Sequence, residues 1–342
     1  MSPQITPAPI LEAPAHASLD ALLASAQPVV FRGLVSGWPL VAAARLGDEQ
    51  AVGYLKRYAN DALPAIATIA APGERFFYGE NLQGFNFRRE PVALTAALNT
   101  LLRDRARPDA PTIYLGATTC DTFLPGLCAD NPLDLNGRDA LASIWIGNRS
   151  RVPAHQDLPD NLACVAAGRR RFLLFPPGQL RNLYVGPLDV TPAGQPVSLV
   201  DPLAPDLERF PRFAEALRQA QQAVLEPGDA LFIPSMWWHH IEALEPFNVL
   251  LNYWWRSAPA YMDAPVNALM LAILCLRELP PEQRAAWQET FRHYVFEFDA
   301  EQAVGHVPEH ARHVLGALDA GKAAHLRAHL LRNLLKRDGA QG

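Results

Sequence analysis

A chain of 342 residues with 49% apolar and 19% charged side chains has the material for a large core, which excludes a disordered chain and a fibrous repeat. Lys and Arg number 30 against 35 Asp and Glu, and the net charge of −5 excludes an overall positive field that would draw the chain to nucleic acid or anionic lipid. The 31 prolines suit short strands and turns better than an all-helical protein.

In chain order, the proline- and alanine-rich N-terminus has no basic segment followed by an apolar one, which predicts no secretory signal. A strand is predicted at 28–33, closed by Gly33, then a turn at Gly37-Trp38-Pro39. A helix follows over 48–58, with Val52, Leu55 and Tyr58 on one face. Short β-type runs bounded by Gly, Pro, Asn or Asp are predicted at 112–115, 143–146, 172–175, 230–233 and 249–254. From about 262 the spacing becomes helical, with helices over 264–278, 281–298, 308–320 and 323–336. The longest apolar run, 268–276, is about half of a membrane span and reads as a buried helix. Cys120, Cys128, Cys164 and Cys275 form no CxxC pair and read as free thiols of a cytoplasmic protein.

Strands followed by a helical tail, without βαβ alternation, argue for an antiparallel barrel or sandwich. The C-terminal helices display Leu269, Ile273, Leu276, Trp287, Phe291, Tyr294 and Phe298, more apolar surface than one small barrel covers. A helical bundle completed by a second copy of the chain is therefore expected.

The chemistry is concentrated in two segments. In His155-Gln156-Asp157, residues i and i+2 of a strand share a face, so an imidazole and a carboxylate can reach one point. They are two thirds of a facial triad of the kind non-haem Fe(II) oxygenases use, in which the opposite face stays open. The pair alone also fits a histidine merely hydrogen-bonded to a carboxylate. The second segment, after the turn at Glu226-Pro227-Gly228-Asp229, carries His239 and His240. Neighbours on a strand face opposite ways, so only one of the two can join His155.

Together, His155-Gln156-Asp157, the 172–177 run ending in Pro176-Pro177, the 227–234 turn and strand, Trp237-Trp238-His239-His240 and Asn252-Tyr253-Trp254 resemble the cupin-like JmjC family of Fe(II)/2-oxoglutarate-dependent oxygenases. The resemblance is strongest over about 111–256. It implies a mainly β fold with α elements: a double-stranded β-helix, the cupin/JmjC jelly roll. The N-terminal α/β elaboration would be 1–110, the catalytic core 111–260 and the C-terminal helical dimerisation region 261–342. It implies His155, Asp157 and His239 as metal ligands, with Fe(II), 2-oxoglutarate and O2 as cofactor and cosubstrates. Arg170 and Tyr114 match the residues that hold the cosubstrate carboxylate, and Asn161 and Asn252 match polar side chains near it. Strand alternation puts Arg169 and Arg171 on the face opposite Arg170. Trp254 reads as core packed beside the site.

Three positions depart from the asparaginyl-hydroxylase branch of that family. Val152 stands where that branch has a hydroxyl, Arg170 where it has a lysine, and Gly116 where it has a substrate-contacting glutamine. The resemblance therefore implies the cofactor and leaves the substrate open. A protein or peptide side chain is the expected substrate and a small molecule the alternative. Nucleic acid and membrane are not expected partners, although hydroxylation of a modified tRNA base occurs within the family. A non-catalytic cupin that binds a metal or ligand is the rival from another class.

Overall fold

In the computed structural model, which describes residues 5–14, 18–192 and 194–335, contacts divide the chain into one unit ending at Ser257 and a second from Ala258. The first unit begins with β1 (Ala8–Pro9), β2 (Leu11–Glu12), β3 (Val29–Phe31), β4 (Ala65–Ala70) and β5 (Phe87–Val92). Next come β6 (Thr112–Thr119), β7 (Leu141–Gly147), β8 (Ser150–Gln156), β9 (Asp160–Ala167) and β10 (Arg170–Phe175). It ends with β11 (Gln221–Leu225), β12 (Ala230–Ile233), β13 (Trp238–Ala243) and β14 (Asn248–Trp255).

Among the described residues these form a five-stranded sheet, β1-β11-β10-β13-β8, and a nine-stranded sheet, β2-β3-β12-β9-β14-β7-β6-β4-β5. All pairings are antiparallel except those of the short β1 and β2, which run parallel to β11 and β3. The predicted jelly roll is thus the observed fold. The segment holding β1 and β2 steps from one sheet to the other at buried Ile10, tying the two together.

Alternation along each strand decides what faces the interior. On β14, Val249, Leu251, Tyr253 and Trp255 join an outer core, while Leu250, Asn252 and Trp254 point between the sheets. On β10, Phe172 and Leu174 point inward, while Leu173 and Phe175 point outward onto the helix Phe213–Gln219. The helices Pro39–Leu46, Asp48–Lys56 and Leu94–Asp104 supply Leu40, Leu55 and Leu98 to the core outside the larger sheet. Each such buried side chain contributes about 1.5–3 kcal/mol. Part of the interior is packed by Val30, Phe172, Leu174, Leu231 and Trp237, and the rest is a cavity.

Besides the two-residue β1 and β2, the sequence reading places no strand at β4, β5, β9 or β11. β4 is alanine-rich, and β5, a sheet edge, carries Arg88, Arg89, Glu90 and Pro91, which mask its β character. The helix predicted from 48 ends at Lys56, before Tyr58.

The second unit contains the helices Pro265–Leu276, Pro281–Phe291 with a π-helical turn Arg292–Phe296, Ala300–Val304 and Ala320–Leu335. Lys336, the predicted end of the last helix, lies outside the described residues. The helix predicted over 308–320 is absent; two 3₁₀ turns, Glu309–Ala311 and His313–Leu315, stand there instead. His313 takes a left-handed φ of 46° and Gly316 is extended, so the i→i−4 ladder cannot propagate. No described helix is long and apolar enough to cross a membrane.

Candidate metal centre and its cavity

Two strands of the smaller sheet bring three of the sequence-predicted residues to one point. β8 carries His155 and leads to Asp157 just past its end, and β13 opposite carries His239 in register with His155. The imidazole centroids are 4.2 Å apart, and His239 Nε2 is 3.6 Å from Asp157 Oδ2. One ligand atom from each residue lies within 4.8 Å of the others, the one such group among the described residues.

Turning His155 inward takes a bulge. Between the pairs Ile241–Val152 and His239–His155, β13 advances two residues while β8 advances three. Strict alternation from inward Val152 would send His155 to the outer face; the extra residue sends Ala154 there instead.

Both rings are fixed from behind. His155 Nδ1 is 2.9 Å from the Pro153 carbonyl, and His239 Nδ1 is 3.0 Å from the Trp237 carbonyl. A carbonyl only accepts, so each Nδ1 carries the proton and each Nε2 keeps its lone pair, as metal-ligating histidines require. Burial, and secondarily the neighbouring His239, pushes the His155 pKa down to about 4, so this ring is neutral at physiological pH. Burial alone would raise the Asp157 pKa. The adjacent imidazoles, His239 at 3.6 Å and then His155, outweigh it and hold the carboxyl below its usual range. Two imidazoles and a carboxylate on one side of an open cavity fit a divalent metal with positions to spare.

His240 turns the other way. Both its ring nitrogens are buried without a hydrogen-bond partner among the described residues, and Glu242 Oε1 lies 3.9 Å from Nε2.

The cavity measures about 590 Å³. Arg170 on its wall is only 2% exposed, with Nη2 donating to the Trp145 carbonyl at 3.3 Å and Nε without a partner among the described residues. Among the described residues no carboxylate pairs with it, whereas Arg169 and Arg171 face outward onto Glu245 and Glu242, at 2.7 and 3.2 Å. Burial lowers the Arg170 pKa and adjacent Tyr114 opposes that shift. Burial raises the Tyr114 pKa to about 12, so its hydroxyl stays a donor at neutral pH. Asn252 Oδ1 accepts from Trp145 Nε1 at 2.6 Å, which leaves Asn252 Nδ2 buried and without a partner among the described residues, as are Asn161 Oδ1 and Trp254 Nε1. An unpaired buried guanidinium ringed by unsatisfied polar atoms is costly unless an anionic, hydrogen-bonding ligand completes it.

The seven residues singled out from the sequence therefore line one cavity, with His155, Asp157, His239 and Arg170 on the side of the smaller sheet and Tyr114, Asn161 and Asn252 on the larger. Trp145 was missed, although alternation with Ile144 and Ile146 on the 143–146 run would have turned it inward. It holds both Arg170 and Asn252. Gly116 leaves the space it needs, since a Cβ there would lie 2.8 Å from the Trp145 ring and 3.0 Å from that of Tyr114.

Comparison with known proteins gives a match over residues 14–261 to a family described as "Cupin-like domain". HSPB1-associated protein 1 of Homo sapiens is 32% identical over 158 residues, 44% of this chain and 31% of that protein. Lysine-specific demethylase JMJ31 of Arabidopsis thaliana is 35% identical over 133 residues, 36% of this chain and 24% of its own length. tRNA wybutosine-synthesizing protein 5 of Gallus gallus is 34% identical over 145 residues, 38% of this chain and 42% of its own. The matched region thus spans between about a quarter and two fifths of the length of these relatives.

Proposed function

Given that the chain belongs to the cupin-like domain family of JmjC type, we propose that it is an Fe(II)- and 2-oxoglutarate-dependent oxygenase that hydroxylates an unactivated C–H bond. The observation that supports this best is the union, in one cavity, of a two-histidine, one-carboxylate face with a buried arginine lacking a carboxylate partner among the described residues. A metal-storing cupin needs the first feature and not the second.

On this reading His155, Asp157 and His239 hold the iron. Arg170 and Tyr114 take the far carboxylate of 2-oxoglutarate, with the Asn161 and Asn252 side chains beside it. Iron, 2-oxoglutarate and O2 together supply the oxidising power, with succinate and CO2 as coproducts. The chain's own residues do the rest. Arg170 would orient the cosubstrate by its carboxylate, and Trp145 keeps Arg170 and Asn252 aimed. Phe172, Ile233 and Leu250 keep the reacting centre dry. No side chain is required as a general base.

Among substrates we propose a protein or peptide side chain. The relatives' names point two ways, one to a lysine-specific demethylase and one to tRNA wybutosine synthesis, and the net charge of −5 favours protein over RNA. Four free cysteines suit a reducing cytoplasm.

Anaerobic titration with Fe(II) and then 2-oxoglutarate tests the reading. A weak visible charge-transfer band is expected only when both are present, and succinate should form on admitting air. A chain that binds iron but gives neither signal is a metal-binding cupin. Mass spectrometry for a gain of one oxygen then identifies the substrate.

The same proposal includes a homodimer through the second unit. Leu269, Leu274, Trp287, Phe296, Val314 and Leu330 there are 40–78% exposed, a large apolar area for an isolated chain. Two copies related by a two-fold axis would each bury the same patch. Light scattering is expected to give twice the chain mass; a stable monomer at micromolar concentration would refute the dimer.

A further inference from the structure

Apart from the metal-binding face and Arg170, the cavity has one more cation among the described residues of its wall, Arg89. It lies on β5, the edge strand of the larger sheet, paired in register with Thr68 on β4. Thr68 faces the cavity, so alternation turns Arg89 inward, and Arg88 and Glu90 turn outward to pair with each other at 2.5 Å. Arg89 has no carboxylate partner among the described residues. Among the described residues one of its five N–H donors is engaged, Nη2 to the Pro192 carbonyl at 2.7 Å. It is exposed while lining the cavity, so it stands at the opening, and the neighbouring wall is apolar or neutral: Ile66, Phe76, Pro192 and Gln195.

We propose that Arg89 is the specificity-determining cation of this site, and that the substrate carries an anionic group, a carboxylate or a phosphate monoester, on an otherwise apolar segment. The inference rests on the oxygenase reading for what else occupies the cavity. With Fe(II) and 2-oxoglutarate bound, the charges of the metal, Asp157, the cosubstrate and Arg170 cancel. Arg89 is then the uncompensated charge an entering substrate meets. A guanidinium with free donors in partly desolvated surroundings binds an anion strongly and a neutral isostere weakly. A nucleic-acid strand would need several such cations, and Arg88 is already neutralised by Glu90. The competing role is that of a pin: Arg89 and Tyr78, whose hydroxyl donates to the Val190 carbonyl at 2.9 Å, both hold the 190–192 segment.

Three ligands of one shape class separate these roles on the full chain, held anaerobically with Mn(II) and 2-oxoglutarate. They are 1-naphthylacetate, its neutral amide 1-naphthylacetamide, and 1-naphthyl phosphate, with binding read by fluorescence. At least one anion should bind about tenfold tighter than the amide, and Arg89→Gln should erase that preference while Arg88→Gln keeps it. The anion with the larger Arg89-dependent preference identifies the group. Unchanged amide binding by Arg89→Gln shows that the cavity persists. The proposal is overturned if wild-type protein binds anions and amide alike, or if Arg89→Gln weakens all three equally, as a pin would. Should the wild type fail to bind 2-oxoglutarate, the oxygenase reading falls, yet the Arg89 comparison is still read with the metal alone.

Discussion

Replacing His239 with alanine is expected to abolish 2-oxoglutarate turnover, and replacing His155 should do the same, whereas His240→Ala should retain measurable metal binding. The two adjacent histidines differ only in the face of β13 they occupy. His239 faces Asp157 at 3.6 Å and His155 at 4.2 Å between ring centroids, while His240, paired with outward Leu173, lies on the far face. Losing a residue that merely orients a metal ligand costs about 10–100-fold in affinity, so losing the ligand itself should exceed that. Two remaining ligands would also leave the carboxylate free to swing. Iron content and succinate release, measured on protein checked for folding by circular dichroism, decide the matter. If His240→Ala strips the metal and His239→Ala does not, the assignment within the pair is wrong.

Arg170→Ala should raise the 2-oxoglutarate requirement a few hundred- to a few thousand-fold with little effect on iron binding. The cosubstrate carboxylate would enter a buried wall without its cation, and breaking a buried, hydrogen-bonded charge pair costs roughly 3–5 kcal/mol. Arg171→Ala is the control. Its side chain is 40% exposed and pairs with Glu242 on the outer face, so its loss should barely move the 2-oxoglutarate requirement. Equal effects of the two substitutions would remove Arg170 from the cosubstrate site. Iron affinity, titrated separately, shows whether the damage is confined to the cosubstrate.

Local patterns carried much of this. The 172–175, 230–233 and 249–254 runs are strands because their apolar content and bounding Gly, Pro and Asn act within a few residues. The opposed facing of Arg170 and Arg171 followed from the two-residue period alone, and so did the split between His239 and His240. Edge strand β5 was hidden because its charged residues and proline suit a solvent-facing edge but carry no apolar alternation. The 308–320 stretch misled in the opposite direction. Its apolar spacing mimics a helix, yet the backbone at His313 and Gly316 leaves helical space.

By itself, then, the sequence determined the class of fold, the pair of segments that carry the histidines, and which side of each strand a residue takes relative to its neighbours. It could do so because side-chain direction repeats every two residues and turn residues act locally. Only the tertiary structure decided that the His155 face and the His239 face are the same face. That depends on the bulge between Val152 and His155, which is a matter of register between β8 and β13, some 80 residues apart in the chain. Tertiary structure alone also decided that Trp145 holds Arg170 and Asn252, and that Arg89 reaches the cavity from the far edge of the other sheet. Such contacts join residues distant in sequence, so no local period encodes them, and the packing of the two sheets has to bring them together.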